Sequence, residues 1–159
     1  MLSYELRGCL EWRNSSLQMN TSCDQACKLF DSALTQIIKW SDDPHFDGLE
    51  STLTNMVQCD TNFVLGHVLK NGIQLIGNSN CASLADEIND LEKLTSSLKD
   101  SLTIRELYHV DAVISLFQGE LLEACKKWER ILVDCPTDLM AIKFLVIKSF
   151  DFFIFENKV

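Results

Sequence analysis

The chain has 159 residues, a length typical of one domain, and its 47% hydrophobic and 23% charged residues exclude extended disorder. Two prolines and six glycines provide few of the turns that an all-β fold requires. The 14 basic and 23 acidic side chains give a net charge of −9, and because affinity for nucleic acid depends on Lys and Arg that neutralise phosphates, we expect no nucleic-acid partner.

The first residues, Met1 to Gly8, do not predict a secretory leader. They lack the basic segment followed by roughly 7–15 apolar residues that such a leader needs. The most apolar stretch, Leu139 to Phe155, is interrupted by charged residues and is shorter than the roughly 20 residues of a membrane-spanning helix. We therefore expect a cytoplasmic protein without a membrane span, and we assign residues 1–20 to a separate N-terminal segment.

From residue 20 onward, apolar residues recur three and four positions apart, which is the period of amphipathic helices. Ser22 and Gln25 have the spacing of a capping box and predict the start of the first such helix. The residues of its apolar stripe are Ala26, Phe30, Ala33, Ile37 and Trp40. Asp-Asp-Pro at 42–44 predicts the end of this helix, and a short helix is expected around Leu53.

The next helix is expected to begin at Asp60, a favourable N-cap residue, and to continue to about Ile76. Gly66 and Gly72 lie inside it. Because each glycine costs about 1 kcal/mol relative to alanine in a helix, we expect a close helix–helix contact to compensate. Gly-Asn-Ser-Asn at 77–80 predicts a loop. The apolar stripe of the helix that follows consists of Leu84, Ile88, Leu91, Leu94 and Leu98.

A second capping-box pattern, Thr103 and Glu106, predicts the start of another helix. Gly119 predicts a left-handed turn at its end, and a partner helix follows from Leu121. Cys-Pro-Thr at 135–137 predicts the end of that partner. Because no segment alternates as a strand does, we predict an all-α chain of antiparallel helices joined by short loops.

The last of these helix pairs has the length of a known structural repeat. Counted back from Pro136, the unit Arg105–Asp138 has about 34 residues, the length of a tetratricopeptide repeat (TPR). Four residues match its structural signature: Gly119 at the turn, Ala124 where the helices approach, Trp128 between repeats, and Pro136 at the end. We therefore predict antiparallel helix pairs stacked in a TPR-like right-handed solenoid.

Four short strings resemble one family of such proteins. They are Ala26–Gln36 with Lys39-Trp40, Phe63–His67, Arg-Glu-x-x-His-Val at 105–110, and Pro136–Asp138. On these residues the chain resembles the N-terminal part of the tetratricopeptide repeat protein 38 family over most of 9–148. The resemblance implies a helical-repeat domain over residues 21–148, without catalytic residues or cofactors that could be transferred to this chain.

In a TPR array the first helices line a concave groove that suits an extended peptide or a partner helix. The TPR pattern implies that four positions of the 105–138 unit face this groove: Glu106, His109, Val113 and Leu116. They lack the Lys and Asn with which chaperone-tail-binding relatives hold a terminal carboxylate. We therefore predict a non-catalytic protein–protein interaction module, whose partner is an apolar or basic segment of a protein or peptide.

A thiol- or histidine-dependent enzyme is an alternative hypothesis. The seven cysteines and three histidines lack the spacing of a catalytic or metal site, so we expect free thiols, no metal and no cofactor. Cys23 and Cys27 are one helical turn apart, but a zinc site would need a second such pair. His109 allows two interpretations: a polar groove site together with Glu106, or a hydrogen-bonded histidine at a helix–helix contact, which we favour.

Thr137 is the predicted N-cap of a last helix that begins at Asp138. The apolar residues of this helix are Leu139, Ile142, Leu145, Val146 and Phe150. Members of the family are considerably longer, and this chain diverges from them near Ser149, so we interpret residues 149–159 as a divergent tail. Without a covering helix we expect an exposed apolar patch that tends to self-associate. A truncated product without independent function is the second alternative.

Overall fold

The computed structural model describes residues 5–77 and 82–156. Within these ranges the chain is all-helical and contains no β-strand, which confirms the predicted all-α class. The α-helices of these ranges are α1 (Cys9–Asn14), α2 (Asp24–Lys39), α3 (Gly48–Cys59), α4 (Val64–Ile76), α5 (Ala82–Leu98), α6 (Ile104–Phe117), α7 (Leu121–Asp134) and α8 (Leu139–Glu156). Short 3-10 turns at Pro44–Phe46 and Lys99–Ser101 precede α3 and follow α5.

Helices that are neighbours in sequence pack against each other along the chain. α2 packs on α3, α4 on α5, and α6 on α7, while α4 also contacts α6. α8 packs on α7 and reaches both α2 and α4 as well. α8 therefore contacts helices from the beginning, the middle and the end of the chain, and is not packed on α7 alone.

Aromatic rings connect the helices in two parts of the core. Phe30 of α2 stands edge-on to Trp12 of α1 and also contacts Phe63, with ring centroids 5.5 Å apart in both pairs. Trp128 of α7 and Phe144 of α8 make an edge-to-face pair at 5.5 Å. All of these side chains are buried, so that each ring adds both apolar area and a preferred geometry to the helix contact.

Gly72 lies where α4 and α8 approach each other closely. A Cβ atom at Gly72 would lie 2.8 Å from two ring atoms of Phe144 and 3.6 Å from Val113. The helix therefore tolerates an unfavourable glycine because the missing side chain makes room for an aromatic ring from α8. This confirms the close contact predicted for Gly72, whereas at Gly66 the nearest ring is the local Phe63, 2.7 Å from the Cβ position.

The α6–α7 pair begins and turns as the sequence predicts. Thr103 caps α6 in a capping box with Glu106, in which each side chain binds the backbone N–H of the other residue. Gly119 has a φ of +81°, a left-handed conformation that glycine adopts at little cost. Both local predictions are confirmed because these motifs depend on residues only a few positions apart.

Two predicted helix starts in the first half of the chain are wrong. α2 begins one residue later than expected, with Cys23 in place of Ser22 as the N-cap, and its sulfur accepts the N–H of Ala26 at 3.4 Å. Asp60 follows the end of α3 and does not cap α4, which begins only at Val64.

The last helix also starts and ends differently from the expectation. Its first turn is capped by Asp138, whose Oδ1 accepts the N–H of Ala141 at 3.1 Å, while Thr137 is exposed. α8 then continues to Glu156, across the boundary that the sequence indicated at residue 149. The predicted loop at 77–80 lies, from residue 78 on, outside the described residues. No helix in 5–77 or 82–156 is long and apolar enough to span a bilayer.

Candidate interaction site

The first turns of α6 carry three polar residues that the fold buries: Arg105, Glu106 and His109. The capping box at the start of the helix orients this turn toward the irregular stretch between α1 and α2, residues 15–23, which we call the crossing segment. Its contacts with α6 join positions more than 80 residues apart in the chain.

Arg105 holds the crossing segment against the start of α8. Its Nη2 donates to the carbonyl oxygens of Leu17 at 3.1 Å and Gln18 at 2.9 Å, and its Nη1 donates to Asp138 Oδ2 at 2.7 Å. A guanidinium group presents several donors in a fixed plane, so that one buried side chain can satisfy two carbonyls and a carboxylate together. Leu17 is itself buried, so Arg105 binds the backbone of a residue whose apolar side chain belongs to the core.

Asp138 is the acceptor at the centre of this cluster. Besides Arg105 it receives His109 Nε2 at 2.9 Å on the same oxygen, and its other oxygen caps α8. Burial alone raises the pKa of Asp138, but His109, Arg105 and the N–H of Ala141 outweigh it and hold that pKa well below its usual range. The carboxylate is therefore charged in the folded protein at neutral pH.

Glu106 binds the backbone of its own chain at two places. Its Oε1 accepts the N–H of Asn20 at 2.7 Å, while Oε2 accepts the N–H of Thr103 at 2.7 Å. Asn20 in turn donates to the carbonyl of Asn62 at 2.8 Å and accepts the N–H of Val64 at 3.1 Å. The crossing segment thus provides the cap of α4 that Asp60 was expected to provide.

The face of α6 that was predicted to line a groove is covered by the chain itself. Glu106 lies under the crossing segment, His109 under the start of α8, and Val113 beside Phe144, with exposed fractions of 1%, 0% and 0%. Leu116 is half-buried against the core. An accessible groove at these positions is therefore not present, because α8 and residues 15–23 fill the space that a partner was expected to occupy.

The four residues predicted as the repeat signature of the 105–138 unit lie at the turn between α6 and α7, within α7 and after its end. Gly119 makes the turn between α6 and α7, Ala124 is buried in α7, and exposed Pro136 follows the end of α7. Trp128 is fully buried and fills the contact between α7 and α8 against Phe144. Ala124 and Trp128 are buried at helix contacts, whereas Gly119 and Pro136 lie where α6 and α7 end.

The C-terminal half of α8 presents an open apolar surface. Four of its side chains form what we call the α8 stripe: Val146, Phe150, Phe153 and Ile154, exposed by 48%, 66%, 68% and 50%. Their spacing of four, three and one places them on one side of a helix. At the other end of the same side, Lys143 lies with its Nζ 4.2 Å from the ring centroid of Trp40, which is also exposed. An exposed apolar patch is present on α8, but of the five residues predicted for it only Leu139, Val146 and Phe150 are exposed, whereas Ile142 and Leu145 are half-buried.

A histidine–carboxylate pair does form, which is the feature that the enzyme hypothesis would require. His109 and Asp138 are both buried, however, and the cavity that Asp138 lines together with Arg105 measures about 20 Å³, room for about one water molecule. The hydrogen bond at the α6–α8 contact confirms the favoured interpretation of His109. In the part of the chain that the structure describes, no group of three metal-binding side chains comes together.

The residues that organise this region could be found only in part from the sequence. Thr137-Asp138 before an apolar run signals an N-cap, but the sequence does not say which of the two residues provides it. Asn20 and its partner Glu106 are 86 positions apart, and no local pattern connects them. No family profile and no solved structure matches this chain.

Proposed function

We propose that the chain is a non-catalytic, TPR-like helical-repeat module that binds a protein partner through the α8 stripe. The single observation that carries the proposal is this stripe of large apolar side chains left in water on a regular helix. Large exposed apolar patches are typical of interaction sites, since monomers seldom leave them uncovered.

The helix pairs support the repeat part of the proposal. The α6–α7 pair spans the 34-residue unit, begins with a capping box and turns at a left-handed glycine. Its tryptophan, Trp128, packs on the following helix, as a residue between consecutive repeats would. The resemblance to the tetratricopeptide repeat protein 38 family points in the same direction, and the six described cysteines that are free thiols support the proposed cytoplasmic location.

The partner that fits this surface is an amphipathic helix with an apolar face and basic flanks. A helix laid along α8 would bury the four stripe residues by the packing that joins helices elsewhere in the chain. The net charge of −9 favours basic flanks on the partner through long-range attraction. A partner peptide therefore replaces the groove ligand expected earlier, because the groove face of α6 is already covered.

The test uses a fluorescein-labelled synthetic peptide of about the length of α8, which has 18 residues, with leucines on one face and lysines on its flanks. Fluorescence anisotropy at physiological salt is expected to show saturable binding. Phe150→Glu in the stripe should weaken it by about tenfold or more, since one desolvated aromatic contact is worth over 1 kcal/mol. Val133→Glu is the matched control, because Val133 on α7 is equally exposed but lies outside the stripe.

Three outcomes would contradict the proposal. Equal weakening by both glutamate variants would mean that the peptide responds to charge alone, as would equal binding of a peptide with the same composition in scrambled order. Absence of binding at millimolar peptide concentration, by protein that is folded by circular dichroism, would remove the stripe as a docking surface for such a helix.

A further inference from the structure

Two cysteines from different helices face each other at the N-terminal end of the fold. The Sγ atoms of Cys9 and Cys27 are 3.1 Å apart, although the residues are 18 positions apart in sequence. Cys9 is the first residue of α1 and is half-buried, while Cys27 lies in the first turns of α2 and is 1% exposed. The sequence suggested the pair Cys23–Cys27, but the structure brings Cys27 to Cys9.

The contact is fixed by the residues around it. The N–H of Cys9 donates to Asp24 Oδ1 at 3.0 Å, and Arg7 makes three hydrogen bonds to Asp31 through its backbone N–H, its Nε and its Nη2. Both carboxylates belong to α2, so α1 is held on α2 on either side of the thiol pair. A bond of about 2.05 Å between the two sulfurs then requires only a small side-chain rotation.

We propose that Cys9 and Cys27 are an oxidation site, and that hydrogen peroxide converts them into a reversible disulfide between α1 and α2. Cys9 is the sulfur that reacts first, because it is the more accessible of the two. Burial, and after it the hydrogen bond with Cys9, raises the pKa of the Cys27 thiol far above its usual value, so Cys27 carries little thiolate for a first attack.

The chemistry balances in two steps. The Cys9 thiolate attacks one oxygen of the peroxide, the O–O bond breaks, and the departing hydroxide takes a proton to become water, leaving Cys9 as a sulfenic acid. The sulfur of Cys27 then attacks that of Cys9, the S–O bond breaks, and the hydroxide leaves as water with the proton of Cys27. Two thiols and one peroxide thus yield one disulfide and two waters, and an added thiol reduces the disulfide back to two thiols by exchange, itself becoming a disulfide.

The disulfide would restrict the motion of α1 and of the crossing segment, which covers α6. α1 leads directly into the crossing segment, whose backbone is held by Arg105 and Glu106. Closing a loop of this length restricts local opening, and we expect hydrogen exchange of the amides in 9–14 to slow by about a hundredfold on oxidation. Oxidation would therefore stabilise the covered state of the face of α6.

The experiment treats the full chain with hydrogen peroxide, blocks remaining thiols by alkylation and measures intact mass and non-reduced tryptic peptides. We expect loss of two hydrogen atoms from the mass, and a link between the peptide containing Cys9 and that containing Cys27. The latter peptide also contains Cys23, so fragmentation or the Cys23→Ser variant must locate the bond. Cys23→Ser should keep the link, since serine is a good N-cap for α2.

The two variants that each remove one cysteine of the pair are expected to give different oxidation products. Cys27→Ser should leave Cys9 as a sulfenic acid that dimedone traps, and Cys9→Ser should remove the mass loss altogether. Cys59→Ser, at an exposed position, is the control that changes neither. A link between other cysteines in the native chain, over-oxidation of Cys9 without a disulfide, or no reaction while Cys59 is oxidised would each overturn the proposal.

Discussion

Among single residues, Asp138 joins separate parts of the structure with one carboxylate. Its oxygens receive a guanidinium, an imidazole and the first turn of α8, and it is almost completely buried. A buried charge is unfavourable unless donors replace its water shell, and here two charged or polar side chains of α6 do so. The residue therefore links the start of α8 to α6 and, through Arg105, to the crossing segment.

We predict that Asp138→Asn lowers the free energy of unfolding by about 3 kcal/mol at neutral pH, because it leaves the buried guanidinium of Arg105 without its counter-charge. Urea unfolding followed by circular dichroism measures the effect. Asp134→Asn is the matched control: Asp134 is exposed, pairs with Arg130 at 3.8 Å, and its loss should change stability by less than about 1 kcal/mol. Equal effects of the two variants would contradict the assignment.

The same carboxylate predicts a pH dependence with a defined sign. The pKa of Asp138 is lower in the folded chain than the value of about 3.9 expected when unfolded. Its contribution to the free energy of unfolding is therefore complete above that value and is lost as the pH falls toward the folded pKa. The stability difference between wild type and Asp138→Asn should shrink as the pH falls below about 4, which urea titrations at several pH values would measure.

Among the helices, the contact between α4 and α8 depends on a missing side chain. We predict that Gly72→Ala destabilises the fold by about 1–3 kcal/mol, although alanine is the better helix former, because its methyl group meets the ring of Phe144. Gly77→Ala is the control, since its nearest atom lies at an ordinary 3.5 Å. Thermal unfolding of both variants measures the difference, and a stabilised Gly72→Ala protein would show that α8 does not pack closely on α4.

The two halves of α8 have different environments. Met140, Ala141 and Phe144 are buried among α7, α4 and their neighbours, whereas Phe150 and Phe153 are in water. The sequence of this helix is apolar on nearly every side, so its pattern predicts a helix but not the face that packs. Only the positions of the preceding helices decide which apolar residues of α8 are buried.

For the whole molecule, the covered face of α6 moves the proposed partner site from α6 to α8. The crossing segment and α8 each occupy part of the surface on which a TPR-like groove was expected, and they do so with hydrogen bonds and apolar contacts of the kind a ligand would make. The open apolar surface on the described part of α8 is then its stripe.

We predict that the chain self-associates with increasing concentration through the α8 stripe. Size-exclusion chromatography with light scattering should show a mass above 18.1 kDa that falls to the monomer value in the double variant Phe150→Glu, Phe153→Glu. Binding of an apolar dye should fall in parallel, while circular dichroism stays helical. A monodisperse wild-type monomer that binds no dye would contradict this prediction.

The sequence by itself determined the all-α class, the presence and approximate position of most helices, and the α6–α7 turn. These features depend on residues within about one or two helical turns, such as Thr103 with Glu106, or on a single backbone requirement, as at Gly119. Helical spacing of apolar residues in 26–37 and 84–98 has the same local character, and the structure confirms both helices, whereas Trp40, expected on the first stripe, follows the end of α2 and is exposed.

Tertiary structure alone decided what covers each helix. Hydrogen bonds from Asn20 to α4, from Arg105 to Leu17, and the Cys9–Cys27 contact join residues that the chain separates by 18 to 88 positions. Local propensity carries no information about such pairs, because their free energy arises only when distant segments pack and exclude water. For this reason the groove residues were predicted correctly as members of a helix, but their burial beneath the chain's own segments was not.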